Sequence, residues 1–194
     1  MNRIKKHLIK VTSPLRRIKL NNDDFTIISN NCWAGDVYRY VGVPYLTPTV
    51  GLYFFADEYI RLVSDIPEYF GSNIERVAFS ASKYKEGLVK GKQQGKLIAR
   101  LDDVEIVLLH YDSWEKAKCD WERRTARINF DNLIVKFSRQ NLCTEQHVKS
   151  FLEFPCEKKV YFDNKPINNP NAVYISGFEE KEFLPDDIKN YRKH

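Results

Sequence analysis

Several features are missing from the sequence, and each absence excludes a class of protein. No apolar run approaches the roughly 20 residues that span a bilayer. No apolar segment follows the basic start, as it would in a secretory signal. The motifs GxGxxG, GxxxxGK[ST], HExxH and GxSxG are also missing. The common dinucleotide, P-loop, zinc-protease and serine-hydrolase sites are therefore not indicated.

Cysteine is scarce and widely spaced. The 4 cysteines are Cys32, Cys119, Cys143 and Cys156. Because no two of them form a CxxC pair, they match neither a zinc ribbon nor a thioredoxin motif. This usage predicts a reduced, cytoplasmic setting rather than a disulfide framework.

The overall composition is that of one folded domain with a charged arm. The chain has 194 residues, of which 43% are hydrophobic and 29% are charged, values typical of a globular protein with a single core. Residues 1–20 contain 7 of the 31 Lys and Arg and no acid. The remaining 24 basic residues nearly balance the 26 acidic ones, so the net charge of +5 belongs to the arm. We predict a basic arm over 1–20 and one domain over 21–194.

The basic arm has three possible roles on sequence grounds. Its cations would attract anionic lipid, at about 1 kcal/mol each near the surface. It would otherwise be a solvated tail, or pack on the domain through its apolar residues Ile4, Leu8, Ile9, Val11 and Leu15. Nucleic acid is not an expected partner, because no basic helix with interleaved aromatic residues or known binding motif follows.

Strand and helix patterns alternate along the rest of the chain. Apolar, β-branched segments predict strands, and apolar residues at helical spacing predict helices. Pro67 predicts a kink or a break in one helix, and Asp102-Asp103 predicts a hairpin turn. The predicted strands are 25–29, 74–79, 95–100, 104–111, 132–138, 158–162 and 172–176; the predicted helices are 34–42, 56–70, 112–128 and 145–154. This alternation predicts a single three-layer α/β domain with a mixed or mostly parallel sheet.

Three predicted strands end in residues that carry chemistry. The first ends at Asn31 and Cys32, another ends at His110, and a third ends at Ser138. In open α/β sheets, ligands bind outside the carboxyl ends of the strands. If these strands are parallel neighbours, the three groups share one crevice.

Cys32 has a functional and a structural interpretation. At the start of a helix, the partial positive charge of the helix end stabilises a thiolate and lowers the thiol pKa. His110 would then act as the base and Asp131 would orient it, an order that resembles papain-like enzymes although the local residues do not match that family's signature. In the structural interpretation, Cys32 is a small buried hydrophobe beside a helix capped by Asn30 and Asn31.

Basic residues in the second half of the chain suggest phosphate recognition. Guanidinium groups bind phosphate oxygens in forked pairs, so Arg123, Arg124 and Arg127 would suit a diphosphate. They would otherwise form a solvated helix face with Glu122. Lys136 alternates with apolar neighbours and either points into a site or lies at an edge. No metal site is predicted, because adjacent acids such as Asp102-Asp103 are common in turns.

Three blocks of sequence resemble a known bacterial family. They are NNCWAGDVYRYVGVPYLTPTVGLYFFADEYI, HYDSWEKAKCDWERRTARINFDNLIVKFS and CTEQHVKSF. Together they are similar to domain of unknown function nineteen-nineteen, over about residues 20–180. The resemblance implies a three-layer α/β fold and a place in exopolysaccharide or capsule biosynthesis, without an assigned reaction. Ala34 stands where the family commonly has glycine.

Positions that match the family's motifs supply the candidate site. We assign catalytic roles to Cys32, His110 and Asp131. The candidate substrate-binding residues are Asn31, Trp33, Arg123, Arg124, Arg127, Lys136 and Ser138.

Three functions follow as hypotheses. The first is a cytoplasmic, glycosyltransferase-like transferase of surface-polysaccharide assembly that acts on a nucleotide-linked or lipid-linked sugar. Its donor would be a nucleotide sugar, and the basic arm would lie at the inner face of the membrane. The second is a cysteine-dependent acyltransferase or hydrolase that uses Cys32 and His110. The third is a non-catalytic scaffold of the same pathway.

Overall fold

The computed structural model describes residues 11–185 and confirms the α/β class. The strands are β1 (Thr26–Ser29), β2 (Ile74–Val77), β3 (Leu97–Leu101), β4 (Val104–Leu108), β5 (Leu133–Ser138), β6 (Lys159–Asp163) and β7 (Ala172–Tyr174). The helices are α1 (Trp33–Val41), α2 (Ala56–Ser64), α3 (Ile66–Gly71), α4 (Lys85–Lys90), α5 (Trp114–Thr125) and α6 (Glu145–Glu153). Short 3-10 turns occupy Phe79–Ala81 and Phe130–Asn132.

A four-stranded sheet forms the centre of the molecule, in the order β1-β5-β6-β7. Its three strand pairs are all parallel. Side chains alternate between its faces: Ile27 and Phe162 pack in the cluster that contains α1, whereas Ile28 and Phe137 pack in the main core with α2 and α6. Most residues of β1, β5 and β6 are buried because both faces are covered there, as expected for a parallel sheet.

A second sheet holds β2, β3 and β4 in antiparallel order. The hairpin predicted at Asp102-Asp103 is confirmed, with Asp102 in the left-handed region at φ 51°. The expected single sheet is therefore two sheets. The segment between them joins both: Tyr53 forms an antiparallel bridge with Val107, and the Phe54 amide donates to the Asn30 carbonyl at 3.0 Å.

Local sequence explains where the helices begin and end. α1 stops at Gly42, whose φ of 74° suits glycine, as predicted. The helix expected over 56–70 is two helices, because Asp65 leaves the helical conformation and accepts the Glu68 amide as the cap of α3. Thr144 caps α6, as predicted.

The N-terminal segment, residues 11–17, is helical and rests on α1. Ser13 is buried there, and an added Cβ at Gly42 would lie 2.5 Å from the Ser13 Oγ. Of the three alternatives for the arm, packing on the domain through Val11 and Leu15 is not observed, since their exposed fractions are 59% and 66%. Ile4, Leu8 and Ile9 lie outside the described residues.

Among the described residues, no helix has both the length and the apolar composition needed to cross a bilayer.

Candidate functional site

An open cleft of about 500 Å³ lies at the carboxyl edge of the parallel sheet. It forms where the residues after β1 and β5 meet the end of β4, as the strand-end rule predicts. Its described lining residues are Asn31, Cys32, Tyr53, Gln93, Leu109, His110, Gln140, Asn141, Phe183 and Leu184.

Cys32 and His110 line this cleft together, although their strands belong to different sheets. Cys32 is the N-cap residue of α1, and its Sγ lies 3.5 Å from the Leu52 carbonyl oxygen. His110 follows β4, and its backbone amide donates to the Gly51 carbonyl at 2.9 Å. Gly51 and Leu52 are neighbours in the connection between α1 and α2, so this one connection positions both His110 and Cys32. Within residues 11–185, no hydrogen bond joins the Cys32 thiol to the exposed His110 imidazole.

Asn31 organises the wall of the cleft beside Cys32. Its Oδ1 accepts hydrogen bonds from the Ser29 hydroxyl at 3.1 Å, the Trp33 amide at 3.0 Å and the Lys136 ammonium at 3.1 Å. Its Nδ2 donates to the Gln140 side chain at 2.8 Å. One buried carboxamide thus ties the start of α1 to β5, which fixes the backbone on either side of Cys32.

Lys136 and Ser138 lie beneath the cleft rather than along its wall. The Lys136 side chain is fully buried, and its ammonium is 5.7 Å from the centre of the Trp33 ring and 5.2 Å from that of Phe162. Ser138 is also buried, and its backbone amide and carbonyl bond to the Asn30 side chain, each at 3.1 Å. Among the described residues, neither belongs to the cleft lining.

Carboxamides and one phenol supply most of the other polar groups of the cleft. The Tyr53 hydroxyl donates to Gln93 Oε1 at 2.5 Å, and burial raises the pKa of Tyr53 to about 12, so the phenol stays protonated at neutral pH. Asn141 Nδ2 donates to the Phe54 carbonyl. Asn141 and Leu142 have φ values of 54° and 65°, which places backbone strain next to the cleft.

A buried ion-pair network braces the same edge of the sheet. Arg139 Nε lies 2.8 and 2.9 Å from the two carboxylate oxygens of Asp163, and another Arg139 nitrogen donates to Glu145. Tyr161 also donates to Asp163, at 2.7 Å. Burial by itself would lower the pKa of Arg139, but its bonds with these carboxylates raise the pKa above the ordinary value. The guanidinium is therefore permanently charged and its carboxylate partners are already bound to it.

Asp131 is not brought to Cys32 and His110, so the predicted three-residue arrangement is not assembled. Asp131 lies in the turn before β5, whereas the cleft lies beyond the other end of that strand. It lines a separate groove of about 770 Å³ that also contains Trp33. The sequence order was compatible with a triad, but the direction of β5 separates its members.

The three arginines do not form a common anion site. Arg123 is exposed and pairs with Asp120 at 2.6 Å, and Arg127 is exposed beyond the end of α5. Arg124 is buried, where it donates to the Tyr111 hydroxyl at 2.6 Å and to Asp120. Arg124 therefore supports the fold, and among the described lining residues of the cleft there is no arginine.

The structure adds Tyr53 and Gln93 to the cleft, and it places there Gln140 and Asn141, which follow a predicted strand but had no assigned role. The position of Gln140 and Asn141 after a predicted strand was a usable signal. The sequence contains no comparable signal for Tyr53, which follows a proline-containing connection, or for Gln93, which lies between two strand patterns. Within residues 11–185, no three His, Cys, Asp or Glu side chains come together to hold a metal ion.

Comparison with other proteins identifies relatives of the chain. The family model described as domain of unknown function (DUF1919) matches residues 3–194. A protein of Haemophilus influenzae described as uncharacterized is 30% identical over 169 residues, which is 87% of this chain and 76% of that protein.

Proposed function

The chain belongs to the DUF1919 family, and we propose that it is a transferase of bacterial surface-polysaccharide assembly that carries an acyl group on Cys32. The place in polysaccharide assembly is part of this proposal and is what the family resemblance described above implies. The observation that supports acyl transfer is that the Cys32 thiol and the His110 imidazole line one cleft at the start of α1.

The proposed chemistry needs only these two groups and an activated acyl donor, such as an ester or a thioester. His110 takes the thiol proton while Cys32 Sγ attacks the acyl carbonyl, and the leaving group departs with a proton from the imidazolium. The product is an acyl thioester on Cys32. His110 then takes the proton of a sugar hydroxyl, which attacks the thioester and releases the thiol.

The polar lining of the cleft supports a neutral, hydroxyl-rich acceptor. Asn31, Gln93, Gln140 and Asn141 bring carboxamides to the cleft, and Tyr53 adds a protonated phenol. Carboxamides both donate and accept hydrogen bonds, as hydroxyl recognition requires. Among the described lining residues there is no Lys, Arg, Asp or Glu.

Glycosyl transfer from a nucleotide sugar is the alternative, with the sugar in the same cleft. It needs cations beside the diphosphate, and the arginines predicted for that role lie elsewhere. A ligand of this kind would stabilise the protein by about 2.7 kcal/mol at a hundredfold excess over its dissociation constant. A thermal shift with one member of a nucleotide-sugar panel would favour this alternative.

The acyl-enzyme is tested by exposing the protein to p-nitrophenyl acetate and locating the acetyl group by peptide mass spectrometry. We expect acetylation of Cys32, at a rate that rises with pH as the thiolate forms. His110→Ala should slow the reaction at least about tenfold, as general-base catalysis implies. Cys119→Ala is the matched control, because Cys119 is an exposed cysteine outside the cleft.

Cys143 provides an internal reference in the same digest. Burial raises the pKa of its thiol to about 12, so it should stay unmodified in the folded protein. Acetylation of Cys32 no faster than of Cys119, and unaffected by His110→Ala, would refute the acyl-transfer proposal. If cells that carry substitutions of Cys32 and His110 still assemble surface polysaccharide normally, the scaffold interpretation is favoured instead.

A further inference from the structure

The helical segment 11–17 and the residue after it carry their apolar side chains on the outside. Val11, Leu15 and Ile18 have exposed fractions of 59%, 66% and 79%. Their spacing of four and three residues places them on one stripe of a helix. A helix of a globular protein normally turns such a stripe to the core, so this orientation is reversed.

The polar side of the same segment is the side that contacts the domain. Ser13 is buried against Gly42. The Arg16 guanidinium lies 4.0 Å from the centre of the Tyr40 ring and also donates to the Tyr40 carbonyl. These contacts hold the segment with its stripe, Val11, Leu15 and Ile18, directed away from the domain.

The sequence of residues 1–20 carries positive charge only. This part of the sequence contains seven Lys and Arg and no acid. Arg17 and Lys19, beside the stripe, are exposed, and Arg17 also contacts Asp23. A second copy of the same surface would bring like charges together, and nucleic acid would leave the apolar stripe uncovered. An anionic lipid surface would both cover the apolar stripe and attract the positive charges.

We propose that the segment 11–20 docks the protein on an anionic membrane, with Val11, Leu15 and Ile18 inserted at the boundary between headgroups and acyl chains. Apolar insertion and electrostatic attraction are the two contributions that hold an interfacial helix on a bilayer. The surface belongs to the arm and not to the cleft, so this proposal stands independently of the acyl-transfer reaction.

Co-sedimentation with lipid vesicles tests the proposal on the full chain. We expect binding to phosphatidylcholine vesicles that contain phosphatidylglycerol, and none to phosphatidylcholine alone. Salt should weaken the binding by screening the charges. Leu15→Glu with Ile18→Glu should raise the lipid concentration for half-binding at least about tenfold, because it removes apolar insertion and adds like charge to the anionic surface.

Two controls separate the stripe from general effects of charge. Val89→Glu with Val173→Glu adds the same two acids at exposed apolar positions elsewhere and should bind as the unaltered protein does. Lys19→Gln should weaken binding modestly, as loss of one cation near the surface does. No sedimentation with anionic vesicles at low salt, or equal weakening by both double variants, would overturn the proposal. A loss of self-association in Leu15→Glu with Ile18→Glu, without any vesicle binding by the original protein, would identify a second copy as the occupant instead.

Discussion

The carboxyl edge of the parallel sheet buries polar side chains, whereas the N-terminal helical segment, residues 11–17, exposes apolar ones. At the edge, Asn31, Lys136 and Arg139 are at most 7% exposed, yet the described contacts give each of them hydrogen-bonding partners. On the segment, Val11 and Leu15 are largely in solvent. Both regions reverse the usual distribution of polar and apolar groups.

The two regions differ in how the energetic cost of the unusual burial or exposure is offset. The polar groups at the edge are satisfied within the fold, so they stabilise one backbone arrangement around Cys32 and make the site rigid. The apolar stripe, Val11, Leu15 and Ile18, has no such compensation in the described contacts, and its contribution depends on what covers it. Substitutions at the edge should therefore affect folding, and substitutions on the stripe should affect association.

The largest expected effect is at Arg139. Arg139→Met leaves the buried Asp163 carboxylate without its cation, which should lower the free energy of unfolding by about 3–5 kcal/mol. Urea unfolding monitored by circular dichroism measures the loss. Arg123→Met is the control: it breaks an exposed pair with Asp120 and should cost less than about 1 kcal/mol.

A double variant shows whether the loss at Arg139 comes from the abandoned charge. Arg139→Met with Asp163→Asn should be more stable than Arg139→Met alone, because the carboxylate is then neutral. If the stability loss of the double variant equals the sum of the two single losses, Arg139 and Asp163 are not energetically coupled, and the ion pair does not stabilise this edge of the sheet as described.

A smaller effect is expected at Glu145, on the exposed side of the same network. The hydrogen bond from Arg139 lowers the pKa of the Glu145 carboxyl. A lowered folded-state pKa stabilises the fold above the unfolded value of about 4.3, and the contribution disappears as the pH falls through the folded-state pKa. Glu145→Gln should be less stable than the original protein at neutral pH, by less than about 1 kcal/mol.

The difference at Glu145 should vanish below the folded-state pKa of its carboxyl, which thermal unfolding between neutral and acid pH would show. Glu153→Gln, on the same helix, is the matched control, since the nearest described cation, Lys149, lies 4.0 Å away. A Glu145→Gln deficit that stays constant down to acid pH would contradict the assigned ion pair.

The smallest effect on stability is expected on the stripe. Leu15→Glu with Ile18→Glu should change the free energy of unfolding by no more than about 0.5 kcal/mol, because both side chains are already in solvent. Chemical denaturation of the protein without vesicles measures it. A large loss would mean that the stripe packs against the domain in solution, and the contrast between the two regions would fail.

Much of the secondary structure was predictable because the local signals agree with the tertiary environment. The strand over 25–29, the end of α1 at Gly42 and the Thr144 cap all follow from residue types at fixed positions. The break predicted at Pro67 is present between α2 and α3, where Asp65 leaves the helical conformation and Pro67 lies in the first turn of α3. The division of the strands between two sheets was not predicted, since strand patterns do not state which strands pair.

The site was only partly predictable for the same reason. Asn31, Cys32 and His110 were found because they end strands, and the structure places all three on one cleft. Asp131 was grouped with them by residue type, although it lies beyond the opposite end of β5. Tyr53 and Gln93 reach the cleft through long-range contacts that no local pattern records.

The sequence by itself determined the α/β class, the positive arm and the chemical groups available at the strand ends, because each depends on composition or on neighbours a few residues apart. The tertiary structure decided which groups meet. The Tyr53 bridge to Val107 brings the end of β4 to the end of β1, and the contact of Arg16 with Tyr40 turns the apolar stripe outward. Both outcomes depend on pairs far apart in the chain, whose contact is fixed only when the whole core packs.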